Sequence, residues 1–367
     1  MKELRIKDIC DKDSSNLKQK DVEGKNGQYP VYGASGIISH IDTYHQENNY
    51  IAIVKDGSGI GRVTFMPAKS SVIGTMQYIL PKEGFNITYI GYCLQSLDLS
   101  KYKQGAAIPH IYFRDYGERI VKVTEDIKEQ QRIVDYLDAA FAKIDAMKAN
   151  AEKALSEAKA LFQASLKEML EPKEGWEYKK LGEVCKRITD GSHNPPKGIE
   201  KSHNYMLSSQ NVQNGYLDMS SVRYLSDEDF RLEDQRTQAK NGDVLLTIVG
   251  TIGRTCVLDG MERNITFQRS VAILKPSKEI NSHFLMYFLL SQNSKLNAIA
   301  HGAAQKGIYL KQLENVELYY PPLSEQQSIV AALDSLKSKV DQLQENYDKI
   351  SQECDALKQA ILKQVFE

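Results

Sequence analysis

The side chains of this sequence best suited to a polar, directional partner stand on segments rich in glycine, serine and asparagine. In the first third they are Tyr32, Ser35, Lys55, Ser58, Arg62 and His110. Later in the chain they are Ser209, Gln210, Asn211, Thr251, Arg254, Gln268, Arg269 and Lys306. Arginine pairs bidentately with the O6/N7 edge of guanine, and asparagine or glutamine with the N6/N7 edge of adenine. Lysine, serine and threonine serve phosphates and single acceptors. Together these residues are candidates for contact with double-stranded DNA.

Other motifs are weaker than they look. Gly57-Ser58-Gly59-Ile60-Gly61-Arg62 and Gly250-Thr251-Ile252-Gly253-Arg254 resemble nucleotide-binding glycines, but neither opens a crossover helix in a βαβ unit. A tight turn between strands is the better reading, with its amides and Arg62 or Arg254 free to face a phosphate. Asn194-Pro195-Pro196 begins a motif whose fourth, aromatic residue stacks on an extruded base; Lys197 cannot stack that way, so a loop is preferred. Of the seven histidines, His110 and His301 are expected at corresponding positions of an internal repeat, where a surface or capping role competes with a DNA contact. Glu157-Ala158-Lys159 mimics part of a nuclease signature on what reads as a solvated helix face. No phosphate-binding loop ending in Gly-Lys-Ser/Thr and no His-Glu-x-x-His is found.

What must position the loops is a frame of two long helices. Ile329, Leu333, Leu336, Val340, Leu343, Tyr347, Ile350, Cys354, Leu357 and Ile361 recur in alternating steps of four and three, the 3.5-residue period of a coiled-coil seam. A shift of 196 residues places Glu325-Gln326-Gln327 on Glu129-Gln130-Gln131, Leu333 on Leu137, Val340 on Ile144, Leu343 on Met147 and Leu357 on Leu161. The earlier copy carries Ala140, Ala151, Ala154 and Ala158 in its seam. Ser324 with Gln327 fits a capping box and Asp126 with Glu129 a looser one, while Glu171-Pro172 must stop the first helix. Each helix is expected to be on the order of 65 Å long.

Composition permits two domains with a sizeable core each: 367 residues, 41% hydrophobic and 26% charged. Met1 to Lys12 is charged throughout and does not read as a secretory signal, and no apolar run is long enough for a membrane span. Five scattered cysteines suit neither a zinc site nor a disulfide framework, so the cytoplasm is the expected compartment. The net charge of −1 hides an asymmetry. Residues 1–124 hold 16 basic and 13 acidic groups and 172–323 hold 19 and 17, whereas 125–171 hold 7 and 10 and 324–367 hold 5 and 8. Mildly cationic globular parts permit nucleic-acid binding without demanding it.

The expected organisation is therefore 1–124 globular, 125–171 helix, 172–323 globular and 324–367 helix, an α+β chain whose globular parts are mostly β with short helices. Strands are expected at Tyr50–Val54, Ser71–Ile73, Arg119–Val123 and Asp243–Val249, and helices at Thr88–Leu97 and Ser282–Leu290. Gln104-Gly105-Ala106-Ala107 with Ile111-Tyr112-Phe113 is echoed by His301-Gly302-Ala303-Ala304 with Ile308-Tyr309-Leu310. The stretch from Asp190 to Arg236 is the large insertion of the second copy. Two such helices most simply pair as an antiparallel coiled coil, relating the globular parts by a pseudo-twofold and holding two readers a fixed distance apart.

This order of elements resembles the specificity subunit of type I restriction-modification enzymes. Pro321-Pro322-Leu323-Ser324-Glu325-Gln326-Gln327-Ser328-Ile329-Val330, its partial copy Lys128–Val134, Tyr29-Pro30-Val31-Tyr32-Gly33, the run at 57–62 and Ile108-Pro109-His110-Ile111 carry the likeness. The resemblance implies a non-catalytic subunit with two target-recognition domains, each reading half of a split asymmetric DNA sequence. It implies a coiled coil that spaces the halves and docks two methylase subunits, for which Glu129, Gln130, Gln131, Glu325, Gln326 and Gln327 are the partner-binding candidates. No cofactor is expected in this chain; S-adenosylmethionine would sit on the methylase, and ATP and Mg on two translocase-nuclease subunits where present. The rivals are a single-chain adenine methyltransferase with its own S-adenosylmethionine site and a tethering rod that never touches DNA.

Overall fold

A computed structural model of the chain describes residues 1–105, 109–260, 264–302 and 306–366. Ala106, Ala107, Ile108, Ala303 and Ala304 of the echoed segments lie outside the described residues. The chain divides into two compact units, Met1–Lys153 with Asn346–Glu367, and Ala154–Glu345.

In the first unit, strands Cys10–Ser14, Met76–Pro81, Tyr50–Val54 and Val63–Met66 lie in that order in one antiparallel sheet. Every side chain of Tyr50–Val54 is buried. A strand alternates its side chains between faces, so a continuous apolar run needs cover on both. Ile51 and Ile53 pack with Ile79, Tyr89, Ile90, Cys93 and Leu94 on one face, the last four belonging to helix Ile87–Gln95. Tyr50, Ala52 and Val54 pack with Val72, Met76 and Tyr78 on the other. Fully burying one such aliphatic side chain contributes about 2 kcal/mol. Lys2–Arg5 pairs with Ile120–Val123 in a separate ribbon.

The second unit repeats this plan. Its sheet runs Cys185–Asp190, Val271–Pro276, Val244–Thr247 and Thr255–Val257, again antiparallel, and Glu177–Lys180 pairs with Glu317–Tyr320. Helix Ser282–Ser291 covers one face through Phe284, Leu285, Phe288 and Leu289, which meet Val244, Leu246 and Leu274. Leu245, Val271 and Ile273 form the other face with Leu207 and Phe267. The insertion supplies strand Asn204–Leu207, parallel to Asn264–Phe267, a hairpin at Val212–Gln213 and Tyr216–Leu217, and helix Asp227–Thr237.

The same polar clamp joins frame to unit in both copies. Asn86 caps its helix by accepting from the Thr88 and Tyr89 amides, and its own N–H donates to Gln130 Oε1 at 2.6 Å. Gln130 Nε2 donates to the carbonyls of Gly84 and Thr124. In the second unit Asn281 caps His283 and Phe284 and donates to Gln326 Oε1 at 2.8 Å, while Gln326 Nε2 donates to Glu279 O and Pro321 O. Tyr92 with Asp138 and Tyr287 with Asp334 make a second matched pair of hydrogen bonds. Gln130 and Gln326 are fully buried. Their assignment to partner binding is corrected: glutamines spent on three backbone groups each are internal fasteners, whereas Gln131 and Gln327 are exposed and Glu129 and Glu325 half-exposed.

The long helices span Ile127–Met169 and Leu323–Phe366. Asp126 caps the first through its carboxylate, which accepts from the Lys128 amide. The second starts one residue before the expected cap: Pro322 O accepts from the Glu325 and Gln326 amides and Ser324 lies within the first turn, because a proline ahead of a helix gives up no needed donor. In the first unit Lys148 Nζ reaches Asp355 at 3.3 Å and Lys358 Nζ reaches Asp145 at 2.5 Å, with Lys358 over the Phe141 ring, so the two segments run antiparallel there. In the second unit Lys159 Nζ donates to Gln344 Oε1 at 2.7 Å. Residues 344 and 159 are Lys148 and Asp355 displaced by 196, so one position pair is bridged in both copies with its charges relocated.

The buried stripe differs from the expected one. Along the first helix it follows Leu137, Phe141, Ile144, Lys148, Ala151, Leu155, Ala158 and Phe162, leaving Met147 and Leu161 more than half exposed. Leu357 is also exposed, and Leu362 and Phe366 are buried in its place, Phe366 against Tyr89 at 5.2 Å. A helix of 3.6 residues per turn drifts about 20° per heptad against a 3.5 pattern, so the ends of a long stripe rotate onto neighbouring residues.

The five cysteines are free and buried. Burial pushes the Cys93, Cys185 and Cys256 thiols up to about 12, and Cys10 higher still. Since the thiolate is the reactive form, these four should stay unlabelled by a chromogenic disulfide reagent at pH 8 in the native protein and react fully in guanidinium. Rapid labelling of any of the four without denaturant would contradict this packing.

Candidate nucleic-acid interface

In the first unit the sheet end between Tyr50–Val54 and Val63–Met66 carries the Lys55–Arg62 loop. Gly57, Gly59 and Gly61 adopt φ near +80°, a region open to glycine without strain. The loop is braced from both sides. Gly57 N donates to Pro109 O, His110 Nδ1 lies 2.6 Å from Asp56 Oδ1, and Arg62 Nη2 donates to Ala34 O at 2.8 Å. Lys55, Ser58, Arg62, His110 and Ser35 are thereby gathered. Tyr32 is half-buried and packs on the Tyr50 and Tyr78 cluster instead, which makes it a supporting residue. Sequence reasoning missed exposed Tyr112, with the Arg114 guanidinium 4.6 Å above its ring and His110 stacked at 6.3 Å.

The histidine correspondence is corrected. His110 pairs with Gln104 and Asp56 as an isolated bridge, and the matching bridges of the second unit join Gly307 to His301 and Val249. His301 therefore answers to Gln104, and His110 to Gly307.

In the second unit a cleft of about 450 Å³ opens at the equivalent end, lined by Asp190, His193, Arg236, Arg269, His301 and Tyr309 among others. Backbone pairings tie several of the remaining candidates to the segments that line it or adjoin those segments. Arg269 N donates to Ser192 O, Gln268 N to Leu207 O, and Gly250 N to Lys306 O beside exposed Thr251. The Ser209 amide donates to Ser270 Oγ, which places Ser209 and Gln210 alongside. Arg254 closes the loop through its backbone, accepting from the Thr247 amide and donating to Thr247 Oγ1. Asn211 is a correction: it is buried, accepting from the Ser208 amide and donating to Asp218 O and Ser221 O, so its amide holds the loop and is not offered to a base. The Asn194-Pro195-Pro196 segment is a loop pinned by Arg223, whose Nη1 donates to Pro196 O.

Arg236 and His193 were also missed, because nothing local marks them: Arg236 ends a helix of mixed charge and His193 follows a Gly-Ser pair. Their common partner is Asp190, whose side chain is only 10% exposed. Among the described residues no cluster of His, Cys, Asp and Glu is placed to hold a metal, and no helix is long and apolar enough to cross a membrane.

One α+β unit, built twice, offers at the same sheet end a set of arginine, lysine, histidine, serine and amide side chains on braced loops; this is the form of a two-module binding protein for a polyanion with readable edges. The chain belongs to the type I restriction modification DNA specificity domain family, whose model matches residues 1–156 and again 173–352. A putative type I restriction enzyme specificity subunit of Haemophilus influenzae is 23% identical over 87% of this chain and 83% of its own length. The EcoBI specificity subunit of Escherichia coli is 24% identical over 65% of this chain, a match spanning 56% of that subunit. A solved chain from work on complex assembly and conformational transition of the type I R-M system shares the fold with a TM-score of 0.74 at 20% identity, covering 98% of this chain and 96% of that one. The chain is thus a non-catalytic specificity subunit that recognises a DNA sequence, and its two family segments fit two recognition domains.

Proposed function

We propose that residues 1–124 and 172–323 each read one half of a bipartite, asymmetric DNA site, and that 125–171 and 324–367 pair as an antiparallel coiled coil that sets the gap between the halves. The observation that carries this is a constant frame with inconstant loops. Sheet order, the Asn–Gln clamp and the Tyr–Asp hydrogen bond recur in both units, while the loop residues at the sheet ends differ. Equal frames present two modules alike; unlike loops make them read different bases. The antiparallel contacts of Lys148 and Lys358 in the first unit support the pairing.

On this reading Gln131, Gln327, Glu129 and Glu325 lie on the surface that docks two methylase subunits, which bring S-adenosylmethionine. ATP and Mg belong to translocase-nuclease subunits, and the complex works in the cytoplasm. The test is to insert one heptad into both long helices. A heptad adds about 10.5 Å of helix, or about 3 base pairs of B-DNA rise. Methylation mapped in cells carrying the variant and its methylase should show both half-sites unchanged and the gap longer by that amount; an unaltered gap rejects the spacer role.

A further inference from the structure

We propose that Arg236 reads a guanine in the half-site of the second unit, and that buried Asp190 is the positioning residue that aims it; this rests on the reading that the unit contacts DNA. The Arg236 guanidinium meets Asp190 along its side edge. Nε donates to Asp190 Oδ1 at 3.1 Å and to Asp190 O at 3.0 Å, and Nη2 pairs with Oδ1. The other carboxylate oxygen is taken by His193 Nε2 at 2.9 Å. Arg236 O in turn accepts from Arg187 Nη2 at 2.8 Å, which fixes the backbone behind it.

With its side edge occupied, Arg236 keeps Nη1 and the second Nη2 hydrogen, two parallel donors at the tip of the fork. That spacing matches the O6 and N7 acceptors of guanine in the major groove. The guanidinium is about half exposed and lines the cleft with Arg269 and His301, whereas its anchor is nearly closed off from water. Burying a carboxylate is costly unless its partners offset the loss of water. A phosphate needs only a nearby positive charge, which a flexible lysine supplies; a base edge needs a planar donor pair held at a fixed angle. Anchoring on Asp190 supplies that angle. Helix Asp227–Thr237 and the chain after Cys185–Asp190, the two elements that meet here, belong to the segment by which the second unit differs from the first, where a specificity unique to this half would reside.

The experiment assembles the full chain with its methylase and measures competition by duplexes altered at one base pair at a time. Arg236→Lys and Asp190→Asn should each lose about tenfold or more of the preference for guanine at one position of one half-site, the same position for both. Preferences in the other half-site should stand, and the preferences at the remaining positions of the same half-site should stand too, which is the check that the second unit of each variant is folded. The proposal is overturned if Arg236→Lys keeps the full preference, or if Arg236→Ala weakens all duplexes equally, which is the mark of a phosphate contact. A parental complex whose methylation motif is not in two parts overturns the underlying reading instead, before any variant is compared.

Discussion

Replacing Gln326 by leucine should destabilise the second unit by about 2–4 kcal/mol, because the change strips partners from three backbone groups, of which Pro321 O is buried and the other two partly so. Asn281 N–H loses its acceptor, and Glu279 O and Pro321 O lose a donor each. Leucine fills nearly the same volume, so the loss reports hydrogen bonding and not a cavity. Gln327, the next residue, is exposed, and Gln327→Leu should stay within about 0.5 kcal/mol of the parent. Gln130→Leu should act on the first unit as Gln326→Leu acts on the second. Urea unfolding followed by hydrogen exchange separates the units; equal effects at 326 and 327 would show that the clamp is not what ties the long helix to its unit.

Gly191→Ala should be as damaging, and it should strike recognition directly. A Cβ there would stand 1.9 Å from Phe267 O and 2.2 Å from Phe267 C, both backbone atoms that cannot rotate away. Gly191 lets the chain beyond Cys185–Asp190 lie against Phe267–Arg269, where Ser192 N donates to Phe267 O and Arg269 N to Ser192 O, both at 2.8 Å. Forcing these apart costs about 3 kcal/mol and moves Asp190, His193 and Arg269 together. Sequence preference in one half-site should vanish while the other persists. Gly84→Ala is the counterpart: its φ of +89° is strained for alanine, yet nothing lies within 4 Å of the new Cβ, so about 1 kcal/mol is expected. Thermal melting and methylation mapping of both variants check this; a Gly191→Ala as mild as Gly84→Ala would mean that the close approach does not govern the cleft.

Much of the frame is legible in the sequence. Tyr50–Val54 was expected as a strand from its unbroken apolar run and is one, at those bounds. Ser282–Leu290, expected as a helix, is one to within one residue, and the structure adds the cap at Asn281. The repeat was visible because both copies must bury the same stripe and close the same turns. The exposed Met147, Leu161 and Leu357 were not, since a residue one place off a stripe has the same composition and differs only in accumulated rotation.

The interface divides in the same way. Glycine-rich loops and the arginines beside them announced themselves, because positive φ leaves a local signature. Asn211, Gln130 and Gln326 carry the side chains of readers or contacts but are spent inside, a distinction made only by which carbonyls the fold brings near them. Arg236 and Asp190 stand 46 residues apart and become partners solely through the packing of helix Asp227–Thr237 on the sheet. By itself the sequence determined a duplicated α+β chain with two long amphipathic helices and cationic loops, since periodicity and turn chemistry act over a few residues. Only the tertiary structure decided which polar groups face outward, because burial and hydrogen-bond satisfaction depend on neighbours distant in the chain.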